Sequence, residues 1–182
     1  MKIYLLRHAE SISNKANLAD SQTDVALSVE GQDDINRINL ELQKIQPDIF
    51  FVSPLKRTRQ TIQPFLETLK NPIVIESDLL LERDLGDFTG TSMNTFQKYC
   101  NDNNLDKVNI RPSNGESLLD VYNKVSKFLE DVKNKYSDKK VLVCGSKNNL
   151  MCLQIIIESK KISDYYSFQS FKTGELRSFE IL

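Results

Sequence analysis

The sequence predicts a three-layer α/β/α sandwich with a mainly parallel central sheet, built by one domain spanning residues 1–182. Three observations carry that expectation. Short apolar runs alternate with longer amphipathic ones along the chain, the pattern of strands joined by helices. The short runs are apolar throughout rather than at every second residue, as strands covered on both faces require. Four polar clusters fall just after such runs, where ligands gather in sheets of this kind.

Residues 2–6 are rich in apolar types and the run stops at Arg7, so a buried strand opens the chain and its loop starts at His8. From Ser28, the positions Ile35, Ile38, Leu42 and Ile45 recur at helical spacing and predict a helix that ends before Pro47. Residues 48–52 form a continuous apolar run closed by Ser53-Pro54, a second strand. The next helix presents Leu55, Ile62, Phe65, Leu66 and Leu69 and exits at Pro72, and residues 72–75 read as a short third strand. The stretch 91–114 is polar, and a helix of about two turns followed by an irregular loop is expected there. Ser117 caps a long helix with Leu118, Val121, Val125, Phe128, Leu129 and Val132 on one face. A strand over 139–144 and a buried helix over Leu150 to Ile157 follow, and the alternating run 175–182 supplies a terminal edge strand.

Composition narrows the function classes. With 24 basic and 25 acidic residues the formal charge is −1, so no long-range field draws the molecule to nucleic acid or an anionic membrane. Lys56, Arg57 and Arg59 open one helix and read as a solvated face rather than a nucleic-acid patch. No window approaches about 18 consecutive apolar residues, and the first apolar stretch is too short for a signal peptide. The three cysteines form no CxxC pair and read as buried thiols in a reducing compartment, so a cytoplasmic protein is expected. Asp33-Asp34 and Asp102 lack histidine or cysteine neighbours at ligand spacing, so no metal is expected.

The polar clusters are Arg7-His8-Ala9-Glu10, Lys56-Arg57-Thr58-Arg59, Glu82-Arg83 and Gly145-Ser146. Arginine offers a planar fork of donors matched to phosphate oxygens, and two arginines on separate loops can neutralise most of a phosphomonoester dianion. Arg7 and Arg57 are the candidates. His8 is the only histidine. A neutral imidazole beside a phosphate-holding arginine is poised to attack phosphorus, and Glu82 is placed to protonate the departing alkoxide.

In order along the chain, Leu5-Leu6-Arg7-His8-Ala9-Glu10-Ser11 through Asn14, Leu27-Ser28-Val29-Glu30-Gly31, Ser53-Pro54-Leu55-Lys56-Arg57-Thr58-Arg59-Gln60-Thr61, Leu81-Glu82-Arg83-Asp84-Leu85-Gly86-Asp87-Phe88-Thr89-Gly90 and Asn114-Gly115-Glu116-Ser117 resemble the motifs of the histidine phosphatase, or phosphoglycerate mutase-like, superfamily. The resemblance implies the phosphoglycerate mutase-like fold and hydrolysis of small phosphomonoesters without cofactor or metal. It gives His8 the phospho-accepting role, Glu82 the proton donor's, and Arg7, Arg57 and Asn14 the phosphate pocket. The chain departs from the family at Val143-Cys144-Gly145-Ser146-Lys147, where Ser146 falls on the position of a second pocket histidine. Ser146 can donate one hydrogen bond to phosphate but carries no charge, and losing such a positioned group typically lowers rates about 10²–10⁴-fold. Lys147 is a possible replacement cation. Lys124 likewise stands where the family often has an arginine, a position that reads as a surface contact. Three functions follow: a phosphomonoester hydrolase with reduced activity, an impaired relative that binds a phosphorylated ligand or protein partner, and a phosphoglycerate mutase-type phosphotransferase. The chain's length favours the hydrolase over the mutases, which are longer.

Overall fold

A computed structural model of the protein describes residues 1–181. Five strands, β1 (Lys2–Arg7), β2 (Ile49–Val52), β3 (Ile73–Glu76), β4 (Lys140–Gly145) and β5 (Leu176–Glu180), form one sheet in the order β3-β2-β4-β1-β5. The first four are parallel, and β5 pairs antiparallel with β1 at the edge. Leu182, the end of the expected terminal strand, lies outside the described residues.

Alternate residues of the inner strands face two separate cores. Ile3, Leu5, Phe51, Val141 and Val143 pack against α6 (Leu118–Lys135) and α7 (Lys147–Ile157). Tyr4, Leu6, Phe50, Leu142 and Cys144 pack against α3 (Ile35–Ile45) and α4 (Lys56–Leu66) on the other face. Two such cores make three layers, and each fully buried Leu, Ile or Phe contributes about 1.5–3 kcal/mol of transfer free energy. No helix of the described residues is long and apolar enough to cross a membrane.

Several elements differ from the sequence expectation. Arg7 belongs to β1, in register with Gly145 of β4, so both strands carry their polar cluster to the same sheet end. The helix expected from Ser28 is two helices, α2 (Val29–Asp33) and α3, broken at Asp34. Ser28 caps the first by accepting from the Gly31 N–H at 3.0 Å. Leu69 lies beyond the end of α4, outside the helical face assigned to it. In the polar stretch, α5 (Met93–Asp102) has ten residues and buries Phe96 and Cys100 four positions apart, longer than the two turns expected. Helix α7 starts at Lys147, one turn ahead of Leu150, with Ser146 as its N-cap, whose N–H donates to Asn149 Oδ1 at 2.9 Å. A short α1 (Ile12–Lys15), capped by Ser11, was not expected at all.

Candidate active site

Three strand ends converge on one pocket. The register that sets Arg7 beside Gly145 is extended by the His8 N–H, which donates to the Gly145 carbonyl at 3.0 Å. The following turn is fixed to α4: the Ala9 N–H donates to Thr61 Oγ1 at 3.0 Å, and that hydroxyl donates to the Arg57 carbonyl at 2.7 Å. One threonine thus locks the loop of His8 to the helix that carries Arg57. Arg7, His8, Asn14, Arg57, Glu82 and Lys147 all line the pocket, which encloses about 420 Å³ including its open mouth.

His8 is 2 % exposed. Its Nδ1 lies 2.7 Å from the Ala9 carbonyl oxygen. A carbonyl only accepts, so Nδ1 carries the proton and Nε2 keeps its lone pair. Burial, then the Arg57 and Arg7 charges, hold the imidazole well below its ordinary pKa, outweighing the Ala9 carbonyl. The ring is therefore the neutral, nucleophilic form at pH 7.

The two arginines are held rigidly by backbone. Arg57, 1 % exposed, donates through Nη1 to the Thr23 carbonyl at 2.8 Å and through Nη2 to the Ser21 carbonyl at 3.0 Å. Arg7 donates through Nη1 to the Phe171 carbonyl at 2.7 Å. The Nε of each is buried without a hydrogen-bond partner. Carbonyl tethers orient a guanidinium without neutralising it, and two such guanidiniums lining one pocket suit an oxyanion. Burial lowers the Arg7 pKa, and Glu82 and Asp20 act against that. Asn14 serves its own helix end, its Oδ1 accepting from the Ser11 N–H at 3.2 Å.

Glu82 has little exposure, and its Oε1 accepts from the Arg83 N–H at 2.7 Å. Its loop is braced from behind by Asn114-Gly115-Glu116-Ser117. The Glu116 carbonyl accepts from Arg83 Nε at 2.8 Å, and Glu116 Oε2 accepts from the Asp84 N–H at 2.9 Å. A Cβ on Gly115 would meet the Asp84 carbonyl oxygen at 2.8 Å, so the close approach needs glycine. Lys124 pairs with Glu116 at 3.0 Å and takes part in this brace rather than in the pocket.

Ser146 is fully buried as the N-cap of α7 and is not among the pocket-lining residues; its Oγ has no partner. The next residue, Lys147, does line the pocket. Burial lowers the Lys147 pKa, with Glu82 opposing and Arg7 reinforcing the shift. The sequence reading missed Asp20, a pocket carboxylate held by Ser11 Oγ at 2.9 Å and lying 3.9 Å from Arg57 Nε. It sits in a loop without periodicity, so only its position between Asn14 and Leu27 could have pointed to it. Arg83 also faces the pocket and stacks 5.0 Å from the Phe96 ring centroid. Leu18, Leu85 and Met93 give the pocket an apolar edge, where Leu18 and Ser92 are bridged antiparallel. Among the described residues no cluster of three or more His, Cys, Asp or Glu side chains is placed to hold a metal ion.

Known proteins share this fold. A mycobacterial glucosyl-3-phosphoglycerate phosphatase superposes with a TM-score of 0.86 at 19% identity, covering 97% of this chain and 91% of that one. A putative alpha-ribazole-5'-P phosphatase from Escherichia coli superposes with a TM-score of 0.87 at 20% identity, covering 100% and 91%. At these identities the likeness is one of fold. By sequence, Phosphoserine phosphatase 1 of Hydrogenobacter thermophilus is 30% identical over 92% of this chain and 81% of its own length. A phosphoglycerate mutase of Schizosaccharomyces pombe is 31% identical over 86% and 79%. The model of the histidine phosphatase superfamily (branch 1) matches residues 3–181, nearly the whole chain, and to that superfamily the chain belongs.

Proposed function

We propose that this chain, a phosphatase by family, hydrolyses small phosphomonoesters through a phosphohistidine formed at His8 Nε2, acting as one domain. The observation that carries the reading is the buried neutral imidazole whose Nδ1 proton is fixed on the Ala9 carbonyl, beside two guanidiniums with unpartnered Nε donors. Arg7 and Arg57 hold the phosphate oxygens, with Asn14 at the pocket edge. Nε2 attacks phosphorus, the bond to the leaving oxygen breaks, and Glu82 gives that oxygen a proton. Water then attacks the phosphohistidine, Glu82 takes the water's proton, the P–N bond breaks and inorganic phosphate leaves. Electrostatic placement of such donors supplies most of the rate enhancement in reactions of this kind. Three free, buried cysteines support a reducing, cytoplasmic setting.

The test is to incubate the protein with a panel of phosphomonoesters that includes phosphoserine and 3-phosphoglycerate, and to look for turnover and an acid-labile, base-stable phosphoenzyme. His8→Ala should abolish both. Wild-type protein that binds phosphate yet forms no phosphoenzyme and turns over nothing would instead identify a binding protein, the reading favoured by the single histidine.

A further inference from the structure

We infer that Lys147 supplies a third cation to the phosphoryl site beside Arg7 and Arg57, its ammonium contacting the transferring phosphoryl group in the role that the resemblance gives to a second histidine. The inference rests on the phosphohistidine reading above. The aligned residue, Ser146, is fully buried, carries no charge and does not line the pocket. Lys147 lines the pocket with Arg7, His8 and Glu82.

Its surroundings are unfavourable for a cation in three separate ways. The side chain is partly buried, so its charge loses hydration. It begins α7, an 11-residue helix whose N-terminal dipole repels positive charge. Arg7 adds like-charge repulsion. Other lysines relieve their charge with partners: Lys124 pairs with Glu116 at 3.0 Å and Lys139 with Asp138 at 3.0 Å. Lys147 forms no ion pair or hydrogen bond among the described residues. Glu82 is the nearby carboxylate that favours its charge, but not at contact distance. A phosphate dianion on Arg7 and Arg57 would offset all three penalties at once, whereas the protein alone opposes them only through the more distant Glu82. An ammonium there donates to non-bridging oxygens and neutralises charge as the phosphoryl group moves from substrate oxygen to Nε2. Its stem is flexible where an imidazole is fixed, so it follows the phosphoryl group rather than bracketing it.

The experiment compares wild type, Lys147→Met, Lys147→Arg and Arg57→Met in 4-nitrophenyl phosphate hydrolysis across pH and in affinity for inorganic phosphate. Lys147→Met should lower kcat/KM about 10²–10³-fold, mostly through kcat. Lys147→Arg should retain most of the activity. The alkaline fall of wild-type kcat/KM should lie below the ordinary lysine range and move upward in Lys147→Arg, since a guanidinium does not deprotonate there. A residue that merely supports the loop would leave that limb where it is. Lys147→Met with wild-type kcat/KM, or an unmoved limb in Lys147→Arg, would overturn the inference. Phosphate binding that collapses in Arg57→Met but is unchanged in Lys147→Met would overturn the role of Lys147 alone. Binding that needs Lys147 without any turnover would support the role and sink the phosphohistidine reading. Wild-type protein that neither binds phosphate nor turns over would sink both.

Discussion

Replacing Gly31 by alanine should damage stability and activity together, because a Cβ there would stand 2.1 Å from the Glu10 carbonyl oxygen and 2.9 Å from its carbon. Both are backbone atoms, so no side chain can swing aside. To reach ordinary contact near 3.4 Å, α2 or the turn after His8 must retreat by about 1 Å. The bonds in the way are Ser28 N–H to Glu10 O at 2.9 Å and Ser28 Oγ to Glu10 Oε2 at 2.9 Å. Losing one such bond costs about 1 kcal/mol and forced overpacking about 1–3, so Gly31→Ala should be destabilised by roughly 2–4 kcal/mol. For a chain of this size that is a fall in Tm of roughly 5–15 °C, readable by calorimetry. Glu10 lies two residues beyond His8, and a displacement of about 1 Å at a nucleophile lowers rates on the order of 10²-fold, so kcat should fall further than KM rises. A variant melting within about 1 °C of wild type with unchanged kcat would refute the claim that Gly31 is where α2 and the His8 loop meet.

Stability in phosphate-free buffer should rise with pH up to about 6.5: His8 has a folded pKa below its unfolded value, so the unfolded chain binds more protons in that window. His8→Gln should flatten that slope, and an unchanged slope in chemical denaturation would contradict the buried neutral ring. Ser117→Ala should cost about 1 kcal/mol, because Ser117 Oγ accepts from the Asp120 N–H at 3.0 Å and donates to Asp120 Oδ2 at 2.7 Å. Asp120 itself is pushed up by burial but pulled down further by Arg111 and Ser117, to about 2. Its stabilisation is present above about pH 4 and lost as pH falls towards 2, so Asp120→Asn should remove that part of the acid transition. An acid limb identical to wild type would show that this exposed pairing with Arg111 carries nothing.

The inner strands β1, β2 and β4 were legible because each is buried on both faces, so continuous apolar runs such as Ile49–Val52 can hardly be anything else. Boundaries were less legible. The break at Asp34 keeps helical spacing on both sides, and a periodicity argument passes through it unaware. In the polar stretch, Ser92 as N-cap with Phe96 and Cys100 at helical spacing was the available signal, diluted by exposed neighbours. At the site, Arg7 and His8 were readable because they sit at a strand end, Arg57 because it lies in the first turn of the helix after β2, and Glu82 because it lies in the loop that follows β3 and a short 3-10 helix. The relation of Ser146 to Lys147 was not. Alignment fixes where a residue lies along the chain, whereas the turn from β4 into α7 decides which of two neighbours faces the cavity.

The hydrogen bond from His8 Nδ1 to the carbonyl of the very next residue makes the proposed nucleophile self-contained. In a relay of the serine-protease kind, tautomer and ring orientation depend on a carboxylate far away in sequence, and the catalytic unit is lost when any member goes. Here the acceptor travels with the histidine on the same turn. A change of cation on the opposite wall, as inferred for Lys147, would therefore leave the proton on His8 in place.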